Sequence, residues 1–398
     1  MQDNKRWFYL VLFWVVNFCL GSFYAWSVYS TWLAQHYSVI AGATVTVVSL
    51  TYVFSIGAAM NPIAMVTAGF LTDRLGPRPV LFGGGLIVTL GYYLMSISTD
   101  SSLLLIGYGI CFGMGSGACV IATVTSAVKL FPTMRGFAGG SVGAMYGLGS
   151  VCLPPTANAL AQNYGITTTL LFFAVACFVV IIASASLIKL PASRSVAPKA
   201  GNEDLNWLQM VKTSRFWAMF VLFLGATLSP LMLFSQTVTV AQVQIGLGMS
   251  AAVLSVSVLA LANMSARFLA GTLSDKLGRA LTLALAIAMA VLGLLFLSMA
   301  GQGDAALFYL GLVCIGVCFG SSVGIFPGYV AEQFGPANAS MNYGVMALAF
   351  SVSSIIGPNI IRMSVEGGQY QSAYFIAIGI SAVGLLAAWY CKSFEKKH

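Results

Sequence analysis

What most limits the fold of this chain is a series of long stretches with almost no charge. They fall at 7–32, 46–70, 79–98, 102–128, 137–160, 166–190, 216–238, 250–273, 280–300, 305–330, 338–361 and 371–391. Each is close to the roughly twenty residues a helix needs to cross a bilayer. Barrel strands would instead alternate polar and apolar residues over about ten positions, so the runs predict helices. Charged residues make up only 7% of the chain and hydrophobic ones 59%, whereas a soluble domain carries about 25% charged residues. No soluble fold hides that much apolar surface, so the solvent is lipid. The expectation is an all-α membrane protein with twelve transmembrane helices. The first run is too long for a leader's apolar region and lacks a small-x-small cleavage pattern, so it is expected to stay in the chain.

The formal charge of +8 would suit nucleic acid, but its distribution argues against that partner. With the N-terminus in the cytoplasm, 16 of the 18 Lys and Arg residues lie on that side, which is the bias that orients helical membrane proteins. Both termini are then cytoplasmic, in the inner membrane. The exceptions are Arg267, inside the eighth run, and Arg362, at the outer end of the eleventh. The eight cysteines sit in the runs or at their ends and read as free, small apolar residues. Trp7, Trp32, Trp207 and Trp217 read as interfacial anchors. The sequence has no Gly-rich phosphate loop and no metal or nucleophile constellation. It therefore predicts no cofactor and no enzyme, and any work would draw on a gradient.

The chain is also written twice. "GFLTDRLGPRP" at 69–79 recurs as "GTLSDKLGRAL" at 271–281, 202 residues later. Tyr108 and its glycine-rich run match Tyr309 at an offset of 201, and "KLFPTMRG" at 129–136 matches "EQFGPANA" at 332–339 at 203. A constant offset across several landmarks predicts two pseudo-symmetric six-helix bundles, 1–190 and 216–398, joined by a cytoplasmic linker at 191–215. Gly76 and Gly278 allow tight turns, and Asp73 and Asp275 can face the positive end of a neighbouring helix. Arg74, Arg78, Lys276 and Arg279 would stay among anionic headgroups. Glycines at every fourth position (139, 143 and 147; 113 and 117; 316, 320 and 324) predict faces where helices approach closely. The paired G-x-L-[ST]-D-[RK]-L-G motif within twelve spans resembles the major facilitator superfamily. That resemblance implies two bundles rocking about a central cavity. It makes Asp73, Arg74, Asp275, Lys276 and Arg135 candidate gating residues, with Asp73 as an inner latch.

Arg267 is the position that resists a purely structural reading. All ten Asp and Glu residues lie outside the spans or at their ends, so the sequence offers no acid deep in a span to pair with it. A central arginine costs about 2.5–3.5 kcal/mol on insertion scales. Reaching down to Asp275, about 12 Å away at 1.5 Å per residue, would relieve that cost. Yet the matching position in the first half is Met65, so the fold itself needs no charge there. Val256, Ala260, Asn263 and Arg267 also share one helical stripe. The reading preferred here is a bare guanidinium whose counter-ion is the cargo, since a carboxylate fits its fork. A guanidinium held by the chain's own carbonyls would argue against this.

"LGSFYAWSVY" at 20–29, "KLFPTMRG" at 129–136 and "NYGVMALAF…IIGP" at 342–358 resemble the oxalate/formate antiporter family and its monocarboxylate-transporter relatives. The resemblance implies that Arg267 binds the anion. It also implies a second cation, a lysine, where this chain has Phe350, and for proton-coupled relatives an acid where it has Asn263. One cation neutralises a monoanion but leaves a dianion charged in a low-dielectric site. The expected cargo is therefore a small monocarboxylate such as formate, lactate or pyruvate. Oxalate exchange and an anion sensor on the same fold are the competing readings, and coupling to a proton or to a counter-transported anion is left open. Tyr24, Ser27 and Thr31 in span one, Cys119 in span four, and Phe319 and Phe350 in spans ten and eleven complete the candidate site, with Asn342 as a weaker member. The expected partners are the cargo, its coupling ion and lipid, around a monomer.

Overall fold

A computed structural model describes residues 3–42, 44–45, 48–190, 204–234, 236–366 and 370–395. The described residues are nearly all helical and include no strand. In chain order the helices are α1 (Asp3–Leu20), α2 (Trp26–Ala41), α3 (Thr51–Leu75), α4 (Pro77–Ser96), α5 (Ser101–Leu104), α6 (Gly113–Leu130), α7 (Arg135–Leu187), α8 (Trp207–Met210) and α9 (Ser214–Phe234). They continue as α10 (Thr237–Val243), α11 (Met249–Leu277), α12 (Arg279–Met299), α13 (Ala305–Phe334), α14 (Ala339–Met346), α15 (Leu348–Glu366) and α16 (Tyr370–Lys392).

Eleven helical stretches among the described residues are long and apolar enough to cross a membrane. One of them, α7, has 53 residues and breaks at Gly165, whose φ of 78° is not helical. At 1.5 Å per residue α7 is far longer than a bilayer is thick, so it supplies two spans. The total is the twelve expected, and the break falls in the gap read between runs five and six. The turns after α3 and α11 are made by Gly76 (φ 86°) and Gly278 (φ 91°), a backbone region that side chains with a Cβ rarely enter. Much of the linker, 191–203, lies outside the described residues.

The chain forms two compact units. One holds Met1–Leu130, Met145–Asn206 and Phe334–Val345; the other holds Phe131–Ala144, Trp207–Gln333 and Met346–His398. In the first unit, span one is not a continuous α-helix: a 3-10 turn at Gly21–Ala25 separates α1 from α2. The Tyr108 hydroxyl donates to the Phe23 carbonyl at 2.6 Å, and the Phe23 ring lies 5.8 Å from that of Phe112, nearly parallel. Tyr29, Tyr92 and Ser22 continue the buried network, with Tyr92 donating to Ser22 Oγ at 2.6 Å. Burial in hydrocarbon makes every such partner count, because an unpaired polar group there costs several kcal/mol.

The second unit is centred on Leu228, Met232, Leu259, Leu294, Phe308, Leu312 and Tyr374. Gln244 of its chain fastens the end of α12, donating to the Leu297 and Ala300 carbonyls at 2.8 and 2.9 Å. It accepts from the Tyr374 hydroxyl at 2.7 Å. All eight cysteines are free thiols.

Candidate functional site

Arg267 is positioned by glycines. On α13, a Cβ at Gly316 would meet Leu259 O, one at Gly320 would meet Asn263 O, and one at Gly324 would meet Arg267 O. The two four-residue stripes therefore run face to face. From the other side, a Cβ at Gly140 in the first turns of α7 would also strike Arg267 O. The α11 backbone at Arg267 is thus held between two glycine surfaces, and only the side chain is left to choose a direction.

It turns toward the N-terminal end of α11, away from Asp275. Nε donates to Asn263 Oδ1 at 3.0 Å and Nη1 donates to the Gly143 carbonyl at 3.0 Å. Arg267 is 4% exposed and Asn263 2%. The guanidinium carbon lies 5.9 Å from the Phe319 ring centroid, within cation–π range. The Phe319 ring in turn packs 5.9 Å from Phe350 and 5.3 Å from Phe234. The structure therefore brings together Arg267, Asn263, Phe319 and Phe350, and it adds Phe234 and the Gly143 carbonyl.

One expectation needs correction: the guanidinium is not bare. A backbone carbonyl and an amide oxygen, both neutral, accept two of its N–H groups. The snorkelling alternative also fails, because Asp275 is engaged with other donors. Asn263, at the place where the resemblance implies an acid in proton-coupled relatives, is the acceptor for Arg267 Nε.

The remaining candidates lie in the first unit. Tyr24 is half-buried and packs edge-on to Phe23 and Tyr146 at 5.6 and 5.9 Å. Thr31 is exposed. The Ser27 side chain lies outside the described residues. Cys119 is fully buried, and its sulfur lies where a Cβ on Gly84 would be, which makes it a packing contact between α4 and α6. Asn342 donates to the Leu205 carbonyl at 2.9 Å and so fastens the end of the linker.

The two motif carboxylates do similar work on different helices. Asp73, 2% exposed, accepts from the Ser340 and Met341 amides at the start of α14 at 3.3 and 2.8 Å. Lys129 pairs with it at 2.6 Å and also donates to Ser340 Oγ at 3.0 Å. Asp275 accepts from the Gly136 and Phe137 amides at the start of α7, each at 2.9 Å. Its cation is Arg279, at 2.5 Å, which also pairs with Glu332 at 2.6 Å. Both carboxylates therefore cap a helix start, where orphan amides and the helix dipole favour negative charge. Arg74 lies over the Phe70 ring at 4.1 Å, Lys276 is exposed, and Arg135 packs beside Gly328. Arg279, expected among the headgroups, is instead buried and paired with Asp275 and Glu332, and Lys129 and Glu332 were not singled out from the sequence as charge partners. The available signal was the sign change between the matched positions Lys129 and Glu332.

Many apolar spans, carboxylate-capped helix starts and a buried cation fit a membrane transporter, and the family match makes it one. Residues 13–358 match the Major Facilitator Superfamily, and the chain belongs to that family. It is 29% identical over 356 residues to the uncharacterized MFS-type transporter YhjX of Escherichia coli K12, covering 89% of this chain and 87% of that one. It is 28% identical to the oxalate:formate antiporter of Oxalobacter formigenes, covering 97% of this chain and 91% of that protein. A solved structure of the proton:xylose symporter XylE matches the fold with a TM-score of 0.78 at 13% identity, over 100% of this chain and 97% of that one. These relatives are transporters, not enzymes, and the chain is a multi-pass membrane protein that moves a small molecule.

Proposed function

We propose that this transporter carries a small monocarboxylate, of the size of formate, lactate or pyruvate, by alternating access, with Arg267 as the cation that binds it. The observation that carries the reading is the placement of Arg267: an arginine within a span, 4% exposed, beside the Phe319–Phe350 wall. Its hold on the Gly143 carbonyl counts against a guanidinium that waits bare, so the reading requires that cargo displace that oxygen. A carboxylate offers the same oxygen acceptors plus a full charge, and charge-assisted bidentate pairs are the stronger ones. The similarity to an oxalate:formate antiporter across nearly the whole chain supports an organic anion. Phe350, standing where the resemblance implies a lysine, favours the monoanion over oxalate.

The halves 1–190 and 216–398 act as the moving bundles, with 191–215 as linker, and both termini lie on the cytoplasmic side of the inner membrane of a monomer. Asp73 and Asp275 are the gating carboxylates, with Arg74, Lys276 and Arg135 around them. Tyr24, Ser27 and Thr31 contribute from the first half.

The test is counterflow of labelled formate in proteoliposomes, with lactate, pyruvate and oxalate as competitors. Formate should exchange and oxalate should compete weakly, and Arg267→Gln should abolish exchange while the protein still reconstitutes. Normal exchange by that variant would remove the assignment. Saturable binding without flux would replace the carrier with a sensor.

A further inference from the structure

Two matched ladders of contacts run up the inner ends of this protein, and they differ in one rung. In the first unit, α3 meets α14: Asp73 caps the amides of Ser340 and Met341, Gly69 lies against Ser340 O, and Gly344 lies against Met65 O. In the second unit, α11 meets the first turns of α7. There Asp275 caps Gly136 and Phe137, Gly271 lies against Gly136 O, and Gly140 lies against Arg267 O. Asp73, Gly69 and Met65 each stand 202 residues before Asp275, Gly271 and Arg267, so the rungs correspond one to one.

At the top rung the symmetry ends. Met65 meets its neighbour through backbone packing, and its side chain has no N–H to give. Arg267 adds a hydrogen bond from Nη1 to the Gly143 carbonyl at 3.0 Å. Gly143 is the second-last residue of the α7 segment that belongs to this unit, which ends at Ala144. The Met65 copy closes without such a bond, so packing alone does not require it.

We infer that the Gly143 carbonyl is a built-in stand-in for the cargo, and that binding is an exchange. The incoming carboxylate takes Arg267 Nη1 from Gly143 O and so unfastens the first turns of α7 from α11. Of the two ladders, only this one is loosened directly by cargo. The inference rests on the proposed role of Arg267 in binding a carboxylate. It adds a consequence that binding alone does not have: site and clamp share one guanidinium, so an empty site holds the clamp and an occupied one releases it.

Hydrogen–deuterium exchange on the purified, detergent-solubilised protein tests this, comparing peptides from 131–144 with peptides from 334–345. The second set reports the charge-free ladder and serves as internal reference. Arg267→Met copies the residue the first ladder already carries, and Arg267→Gln serves if the methionine variant does not fold. In either variant without ligand, exchange in 131–144 should rise relative to the reference by roughly tenfold to a hundredfold, the range for losing a hydrogen bond to a charged group. Saturating formate should produce the same relative rise in the wild type and none in the variants. Gly140→Ala, whose new Cβ would press on Arg267 O, should raise 131–144 exchange with Arg267 intact and so calibrates the response. An unchanged ratio in both Arg267 variants shows that the rung bears no load and overturns the inference. So does formate that binds the wild type, by calorimetry, without changing the ratio. Absence of any carboxylate binding to the wild type overturns the proposed function instead, while the ligand-free comparison still decides whether the rung holds the clamp.

Discussion

Replacing Phe350 with lysine should shift the proposed monoanion site toward a dianion. The Arg267 guanidinium and the Phe350 ring each lie 5.9 Å from the Phe319 ring. An ammonium placed where the Phe350 ring now sits is then no more than about 12 Å from the guanidinium, and an anion midway lies about 6 Å from each. With an effective dielectric of about 20, one pair of unit charges at that distance is worth about 3 kcal/mol. The new cation acts on two charges of oxalate but on one of formate, so the shift in preference is also about 3 kcal/mol, roughly a hundredfold. Repulsion between the two cations is common to both ligands and cancels from the ratio. The assay is competition by unlabelled oxalate and formate against labelled formate in proteoliposomes bearing Phe350→Lys, on protein that remains monodisperse. The ratio of the two inhibition constants should move toward oxalate by one to two orders of magnitude, about what screening by residual water would leave of the full effect. An unmoved ratio in folded protein would refute the argument that a single cation selects the cargo's charge.

Two further predictions concern the frame around that site. Asp73→Asn removes a buried carboxylate and leaves Lys129, whose side chain is 17% exposed, without its charge partner. Breaking such a pair costs about 3–5 kcal/mol, whereas Glu332→Gln leaves Arg279 still paired with Asp275 and should cost about 1 kcal/mol or less. Differential scanning fluorimetry should therefore rank the Asp73 variant well below the Glu332 variant. Gly320→Ala puts a Cβ into the Asn263 carbonyl and forces α13 off α11, with an overpacking cost of about 1–3 kcal/mol and a displaced Arg267, so formate exchange should fall with the melting temperature. Gly379→Ala meets no other atom within 4 Å and should leave both unchanged.

The sequence made some of this legible for identifiable reasons. Apolar runs report helices because a bilayer leaves no other way to satisfy the backbone, and the pause between runs five and six coincides with the break at Gly165. Arg267 stood out because a charge in hydrocarbon is expensive. The glycine stripe at 316, 320 and 324 announced a close approach, but the stripe it meets carries Leu259, Asn263 and Arg267, a mixed set with no signature of its own. Less legible was the 3-10 break at Gly21–Ala25. It depends on a tyrosine hydroxyl 85 residues away in sequence, and on ring packing that periodicity does not encode. The Gly143 carbonyl was invisible because every residue has a carbonyl. Only the fold decides which one faces a guanidinium.

The repeat offers a physical reason why Arg267 stands in one half only. A pair of symmetric arginines, one at each 202-residue position, would put two cations in a medium where like charges repel strongly, and a single monoanion could neutralise one of them at most. Met65 at the matched place keeps the first ladder closed by packing and by Asp73. The second ladder then carries the Arg267–Gly143 bond, which under the proposed exchange a carboxylate would displace. The motif carboxylates show the same division of labour. Asp73 takes its cation from Lys129, on the neighbouring helix α6, whereas Asp275 shares Arg279 with Glu332, at the position that matches Lys129. Exchanging the sign at one matched position obliges the other half to find its cation elsewhere. The duplicated scaffold thus keeps its helix caps, while its side-chain charges differ between the halves, which is where a response to cargo can be built.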